Sequence, residues 1–408
     1  MTEWRASTWG EEISLEYGKA LRGYGDATGQ VPVYGTNGPV GWTDEPIAPG
    51  PGIILGRKGA YRGVHFSRKP FFVIDTAYYV VPKTELDMRW LYYAMIHHKL
   101  GEIDDGSPIP STTRAAVYPR KLGVPEIDEQ KAIGAVLGSL DDKIELNQQM
   151  NVTLEAMVRA IFKSWFVDFD PVRAKMEEQD AGFVADVIAL FPDFLDHESG
   201  VPNGWRYAPL SELASELRRG IAPKYIEQGG VCVVNQRCIR DRKVSFDASR
   251  RHDIEQRAID GRELEVGDVL VNSTGVGTLG RVGQVWALTE TTVADSHVTV
   301  VRARDGISSI YLGQNLLSRE AEIEALGEGS TGQTELSRTR LGELLILVPS
   351  GPVLDAFDKF TDPVLKRIAA NDEESRTLVS LRDLLLPKLI SGEVRIGDAG
   401  RLIGELGA

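Results

Sequence analysis
Cysteine is almost absent from this chain: Cys232 and Cys238 are the two thiols in 408 residues. A single pair so close in sequence builds neither a disulfide framework nor a four-ligand zinc site, so a reducing cytoplasm is the expected compartment. Long apolar runs are missing as well. Nothing approaches the length of a membrane span, and the opening MTEWRASTWG lacks the basic-then-apolar order of a signal peptide. Signs of catalysis are few. No dinucleotide or methyl-donor loop is read after a predicted strand, and no G-x-x-x-x-G-K-[ST] phosphate loop occurs. Arg57-Lys58-Gly59 is basic and glycine-flanked, but nothing after it would hold a magnesium ion. The six histidines are scattered, and His97-His98 fall on a predicted helix as surface or core residues. A nuclease needs clustered carboxylates and a lysine around a metal. Asp141-Asp142-Lys143 supplies those letters, but on the outer face of a predicted coiled coil, where a solvated charge run is expected. Asp168 and Asp170 flank Phe169 at a helix end, a place for capping. A non-catalytic chain with no metal site is expected.

What is present fits two to three domains of a globular protein, with 42% hydrophobic and 26% charged residues. The net charge of -13 argues against nucleic acid until its distribution is read. Residues 126–200 alone carry a net -10, whereas 1–110 and 201–345 each carry -2 and 111–125 carry +3. The strand-rich segments are therefore nearly neutral, which leaves room for local basic faces.

The strongest pattern runs from about Glu126 to Phe166. Ile133, Leu137, Leu140, Ile144, Leu154, Val158, Ile161 and Trp165 recur at steps of four and three, with Asn147 and Asn151 filling the seam between them. That is a heptad stripe, and roughly 40 residues at ~1.5 Å each give a helix about 60 Å long. A partner stretch at Gly351 to Ile390 repeats it without a gap: Pro125 matches Pro349, Ile133 matches Phe357, Asn147 matches Asn371 and Ile161 matches Leu385. Each stretch follows a globular segment, so the chain is read as an internal duplicate. Antiparallel pairing of the two helices is expected to bring Asn147 and Asn371 opposite each other as a register device. Thr361 and Arg382 interrupt the second stripe, and Phe360 and Leu381 are expected to take their places. The alternative is two unrelated amphipathic helices on separate cores.

Residues 1–110 read as mixed and strand-rich, with an Asn37-Gly38 turn, the strand Ile53-Ile54-Leu55, and strands around Phe71 to Ile74 and Ala77 to Val81. The second unit repeats the order with Val231 to Val234, Gly267 to Val271 and Thr292 to Val300, Asp295 taking the place of Asp75. Loops at strand ends carry the binding candidates. These are Tyr34, Thr36, Asn37, Arg57, Lys58 and Arg62 in the first unit. In the second they are Arg218, Arg219, Arg237, Arg240, Arg242, Lys243, Asn272, Ser273, Thr274 and His297. Arginine and lysine reach guanine edges or phosphates, and asparagine can bond adenine.

The wording of Gly106 to Arg114 (GSPIPSTTR), Val124 to Ile133 (VPEIDEQKAI), Leu140 to Asn147 (LDDKIELN), Ser164 to Pro171 (SWFVDFDP) and Leu385 to Glu393 (LLPKLISGE) resembles specificity subunits of type I restriction–modification systems. Gly35-Thr36-Asn37-Gly38 is similar to a stretch of their target-recognition domains. The resemblance covers nearly the whole chain. It implies an α+β fold of two target-recognition domains alternating with two long helices that pair as an antiparallel coiled coil, with pseudo-twofold duplication. The expected divisions are recognition domain 1 over 1–122, central spacer helix 123–172, linker 173–204, recognition domain 2 over 205–347, C-terminal helix 348–393 and tail 394–408. It further implies that each domain reads one half of a split site in double-stranded DNA, and that the helices set the gap and dock methyltransferase subunits. S-adenosylmethionine, ATP and Mg would belong to partner subunits, which include a restriction/translocase subunit. The competing readings are a coiled-coil scaffold joining two protein-binding domains, the specificity part of a related restriction enzyme, and a fused nuclease or methyltransferase.

Overall fold
A computed structural model describes residues 4–26, 28–103, 109–178, 184–329 and 334–396. Gly106 to Pro108 of the loop motif, 179–183 of the expected linker and 397–408 of the expected tail lie outside the described residues. Two compact units emerge: one comprises residues up to Asn147 together with those from Glu373 on, the other Gln148–Asp372.

In the first unit, strand Arg5–Thr8 pairs antiparallel with Lys121–Val124, and the short helix Trp9–Glu12 leads into Ile13–Tyr17. That strand edges a four-stranded sheet in which Ala77–Pro82 lies between Ile13–Tyr17 and Gly52–Gly56, with Val64–Ser67 beyond. A smaller sheet places Val31–Gly35 between Gly38–Thr43 and, in parallel, Phe72–Val73. The helix Met88–His97 buries Trp90, Leu91 and Tyr93 against Ile133 and Leu137 of the first long helix and Leu385 and Leu389 of the second. Close approach depends on two glycines in the first long helix. A Cβ on Gly134 would lie 2.7 Å from Asp87 Oδ1, and one on Gly138 would lie 2.4 Å from Arg89 Nε. Glycine costs a helix ~1 kcal/mol relative to alanine, so its presence here reflects packing.

The second unit repeats the central part of this order, and Ile239–Arg240 and Lys243–Val244 extend its larger sheet to six strands. Arg206–Pro209 pairs with Leu345–Val348, and Leu210–Leu213 leads into Ala214–Arg219. Val298–Ala303 lies between Ala214–Arg219 and Val269–Asn272, with Val282–Gln284 beyond. Val231–Val234 again runs parallel to the following short strand, Thr292–Ala294. Helices Ser309–Ser318 and Arg338–Gly342 occupy the places of Met88–His97 and Arg114–Val117, and Ser337 caps its helix as Thr113 does. The core centres on Phe162, Phe166, Trp205, Tyr311 and Phe357, with Phe166 edge-on to Tyr311 at 4.7 Å and to Phe357 at 5.1 Å. Phe169, Val172, Phe191 and Val201, from the stretch that follows the first long helix, are buried in the same core.

The long helices span Ile127–Phe166 and Gly351–Ile390, 40 residues each. Within the first unit, Lys143 pairs with Glu374, Asn147 donates to Glu374 at 2.8 Å and to Ser375 at 3.4 Å, and Asp141 meets Arg382. Within the second, Asn151 donates to Asp372 at 2.7 Å, and Asn371 donates to Asn151 Oδ1 at 2.8 Å. Residue numbers rise along one helix as they fall along the other, so the pairing is antiparallel. Asparagines in the seam are hydrogen-bonded across the helix pair in each unit: Asn371 to Asn151 in the second, and Asn147 to Glu374 and Ser375 in the first.

Two expectations about the helices are corrected. Thr361 is fully buried because its hydroxyl donates to Phe357 O at 2.8 Å, one turn back, and so needs no outside partner. Phe360 does not replace it in the seam; it is 44% exposed and rests edge-on against Trp165. Asp141-Asp142-Lys143 is not a solvated run either. Asp141 accepts from Tyr93 Oη at 2.6 Å and Arg382 Nη1 at 2.8 Å, and Asp142 accepts from Arg89 and Arg68. Burial pushes the Asp142 carboxyl up, but the bonds and charges of those two arginines outweigh it and hold it below the usual range. Burial and the bond to Asp141 push the Tyr93 hydroxyl far up.

Candidate nucleic-acid interface
In both units the central strand of the larger sheet ends at a junction of the same design. Arg57 N donates to Thr76 O at 3.0 Å, and Arg57 O accepts from Thr112 N at 2.9 Å. In the second unit Ser273 N donates to His297 O and Ser273 O accepts from Leu336 N, both at 2.9 Å. Arg57 and Ser273 are thus equivalent, as are Thr76 and His297, and a glycine at positive φ follows two residues later in each, Gly59 and Gly275. One expected match shifts by a residue. Ile74 N donates to Tyr34 O as Asp295 N donates to Val234 O, so Asp295 stands in the place of Ile74, not of Asp75. Buried there, the Asp295 carboxyl is pushed up, against the pull of the His297 amide and ring.

The candidates divide sharply by what already occupies them. Tyr34 is a core residue, packed with Ile54 and Phe71. Asn272 and Ser273 are fully buried: Asn272 donates to Gln236 O, and Ser273 shares a 2.6 Å bond with Thr299. Small polar residues at a strand end read as loop, but here the strand continues one residue into the core. Arg62 is consumed by its own loop, donating to Gly59 O, Ile103 O and Thr112. Arg218 is held by Glu216 and Glu263 O, and Arg219 by Glu335, Leu336 O and Ser296 O. Arg242 pairs with Glu320 and Lys243 with Glu155. None of these presents a free donor edge comparable to those that follow.

Exposed groups remain on each unit. In the first, Asn37 and Lys58 are exposed, Thr36 donates to Lys58 O at 2.7 Å, and Arg57 is half-buried. In the second, Arg237 and Arg240 are exposed, and His297 Nδ1 lies 2.8 Å from Thr274 Oγ1. Arg57, Arg237 and Arg240 make no side-chain hydrogen bond or ion pair among the described residues. Two features escaped the sequence reading. Tyr17 and Arg114 flank Arg57, Arg114 lying 4.6 Å and Arg57 5.0 Å from the Tyr17 ring centre. Burial, then the neighbouring Tyr17 hydroxyl, push the Tyr78 hydroxyl up to about 12. The second feature is a glycine spacing. Gly275, Gly277 and Gly280 do match a dinucleotide loop and do follow a strand. However, the next element is the antiparallel strand Val282–Gln284, with no helix N-terminus to receive a phosphate. It is a hairpin. Among the described residues no cluster of metal-ligating side chains occurs, and Cys232 and Cys238 are buried and unpaired, burial pushing the Cys238 thiol up to about 11. No helix among the described residues is long and apolar enough to cross a membrane.

A chain that repeats one head-and-helix module, with exposed basic and polar groups on each head's loops, has the build of a two-headed binding protein. Residues 16–156 match the family model described as the type I restriction modification DNA specificity domain. The HindI specificity subunit of Haemophilus influenzae is 25% identical over 374 residues, covering 79% of this chain and 81% of that one. The MjaIX specificity subunit of Methanocaldococcus jannaschii is 25% identical over 370 residues, covering 85% and 78%. The crystal structure of a type I restriction–modification S subunit from M. genitalium shares the fold, with a TM-score of 0.65 at 16% identity over 95% of this chain and 96% of that one. Over most of its length the chain is similar to type I restriction–modification specificity subunits.

Proposed function
We propose that this protein is the sequence-reading, non-catalytic subunit of a type I restriction–modification complex acting in the cytoplasm. Each strand-rich head reads one half of a bipartite site in double-stranded DNA, and the length of paired helix sets the number of base pairs between the halves. Methyltransferase subunits dock on the helices and a restriction/translocase subunit joins them, with S-adenosylmethionine, ATP and Mg bound by those partners. In the first head Arg57, Lys58, Thr36 and Asn37 face the DNA; in the second Arg237, Arg240, Thr274 and His297 do. Phosphate contacts position each head, and base-edge contacts choose the sequence.

The observation that carries this reading is the repeat: two heads sharing one core strand order, each followed by a 40-residue helix. A duplicated reader joined by duplicated helices suits a split target with two half-sites. The test is to map methylated bases genome-wide in a host with the intact gene and without it. A bipartite motif with a fixed gap that disappears with the gene supports the proposal. An unchanged methylation pattern, with the complex shown to be expressed, would refute it.

A further inference from the structure
Arg57 stands apart from the other candidates. Its guanidinium is half-buried and makes no hydrogen bond or ion pair with any described residue, yet its position is determined. It lies 5.0 Å from the Tyr17 ring centre and 5.9 Å from that of Tyr78. The two rings are themselves packed at 5.0 Å. Arg114 lies over Tyr17 too, at 4.6 Å, but is tethered on one edge: its Nε donates to Leu15 O at 2.7 Å and it pairs with Glu16 at 3.6 Å. Tyr17 remains about half exposed despite these neighbours. The backbone of Arg57 is fixed by Thr76 O and Thr112 N. The result is a guanidinium stacked on aromatic faces at a rigid strand end, with its edge of N–H donors unmatched among the described residues.

Among the described residues the second head has nothing of the kind at the same place. Ser273 replaces Arg57 and is buried, Thr299 replaces Tyr78, and Arg219 replaces Tyr17 and is held by Glu335 and Leu336 O. The two heads, alike in topology, therefore differ in chemistry at the junction.

We propose that Arg57 reads a guanine edge in the half-site of the first head, and that Tyr17 is the positioning residue that presents it. This rests on the DNA-reading role proposed above. A phosphate can be met by a mobile exposed cation such as neighbouring Lys58, which needs no aromatic platform. A planar guanidinium held by stacking suits a partner with two acceptors in a fixed plane, and the O6 and N7 atoms of guanine are the commonest such pair in the major groove. Arg114, held by Leu15 O and Glu16 of the Tyr17 strand, packs on Tyr17 and helps to fix it.

The experiment uses the full chain assembled with its methyltransferase subunits, on DNA libraries randomised separately in each half-site. Methylation is scored by sequencing. With the intact chain, selection in both halves confirms that the reading role stands; no selection there would sink that role and not this inference alone. Arg57→Lys and Tyr17→Ala are expected to relax one G·C position in one half-site by about 5- to 150-fold, the discrimination of one bidentate contact. Selection in the other half-site stays intact and reports that the assembly is folded. Tyr17→Phe keeps the platform and the preference. Should Arg57→Lys weaken every sequence equally, or leave preference at that pair unchanged while the intact chain selects normally, the guanine contact is refuted. Likewise, if Tyr17→Ala preserves the preference, Tyr17 does not position the arginine.

Discussion
The bond between Asn371 and Asn151 offers the most direct perturbation of the helix pair. Both side chains are essentially fully buried, the donor–acceptor distance is 2.8 Å, and Asn151 uses its own amide hydrogens on Asp372. Replacing Asn371 by Leu removes the donor and leaves the Asn151 carbonyl in an apolar seam. The cost of such an orphaned group is about 1–3 kcal/mol. Replacing Asn151 and Asn371 together by Leu removes both halves and adds apolar surface, so the double variant should recover most or all of that loss. Stability would be read from urea midpoints as a double-mutant cycle. The same variants should separate stability from register. A polar pair in a seam is satisfied in one alignment alone, so the double-Leu chain should be as stable as the parent yet methylate sites with more than one gap length. If the single variant is as stable as the parent, or the double variant is the least stable of the three, the reasoning about this pair is wrong.

Three further outcomes follow from the geometry. Asp141→Ala should destabilise the first unit by about 1–3 kcal/mol, because it strands the Tyr93 hydroxyl and leaves Arg382 with Asp383 alone, whereas Lys143→Ala, at an exposed pair, should cost less than about 1 kcal/mol by the same urea assay. Glu12 is buried and bonded by Arg5, Ser7 and Thr84; burial raises its carboxyl, but those bonds dominate and hold it at about 2 against an ordinary 4.5. A depressed carboxyl contributes stability that is complete above pH 4.5 and is lost as pH falls from 4.5 toward 2, so denaturation midpoints of Glu12→Gln should fall less steeply across that window than those of the parent. Gly138→Ala would drive a methyl group into Arg89 and loosen its bond to Asp142; a thermal midpoint at or above the parent's would contradict that packing.

Much of the plan was legible in the chain because it rests on periodicity. The two heptad stripes and their offset are repeated spacings of apolar residues, and spacing survives without knowledge of partners. The side-chain assignments were harder for a physical reason. Asn272 and Ser273 look like loop residues because small polar groups mark turns, yet a neighbouring backbone carbonyl and the Thr299 hydroxyl satisfy them inside the core. Tyr34 has the composition of a reading residue and the burial of a packing one. Asp141 seemed a solvated charge because its partners, Tyr93 and Arg382, lie 48 and 241 residues away. Tyr17 carries no signature in the sequence, because an isolated tyrosine on a strand acquires a role only when Arg57 and Arg114 are brought to it.

If helix length sets the gap in the target, a chain with longer helices must methylate a motif with a wider gap. Seven residues added to each long helix, between Asn147 and Asn151 and between Asn371 and Ser375, keep the apolar stripe in phase and lengthen the pair by about 10 Å. At ~3.4 Å per base pair, the mapped motif should retain both half-sites and widen its gap by about three base pairs. Unchanged half-sites with an unchanged gap would contradict it.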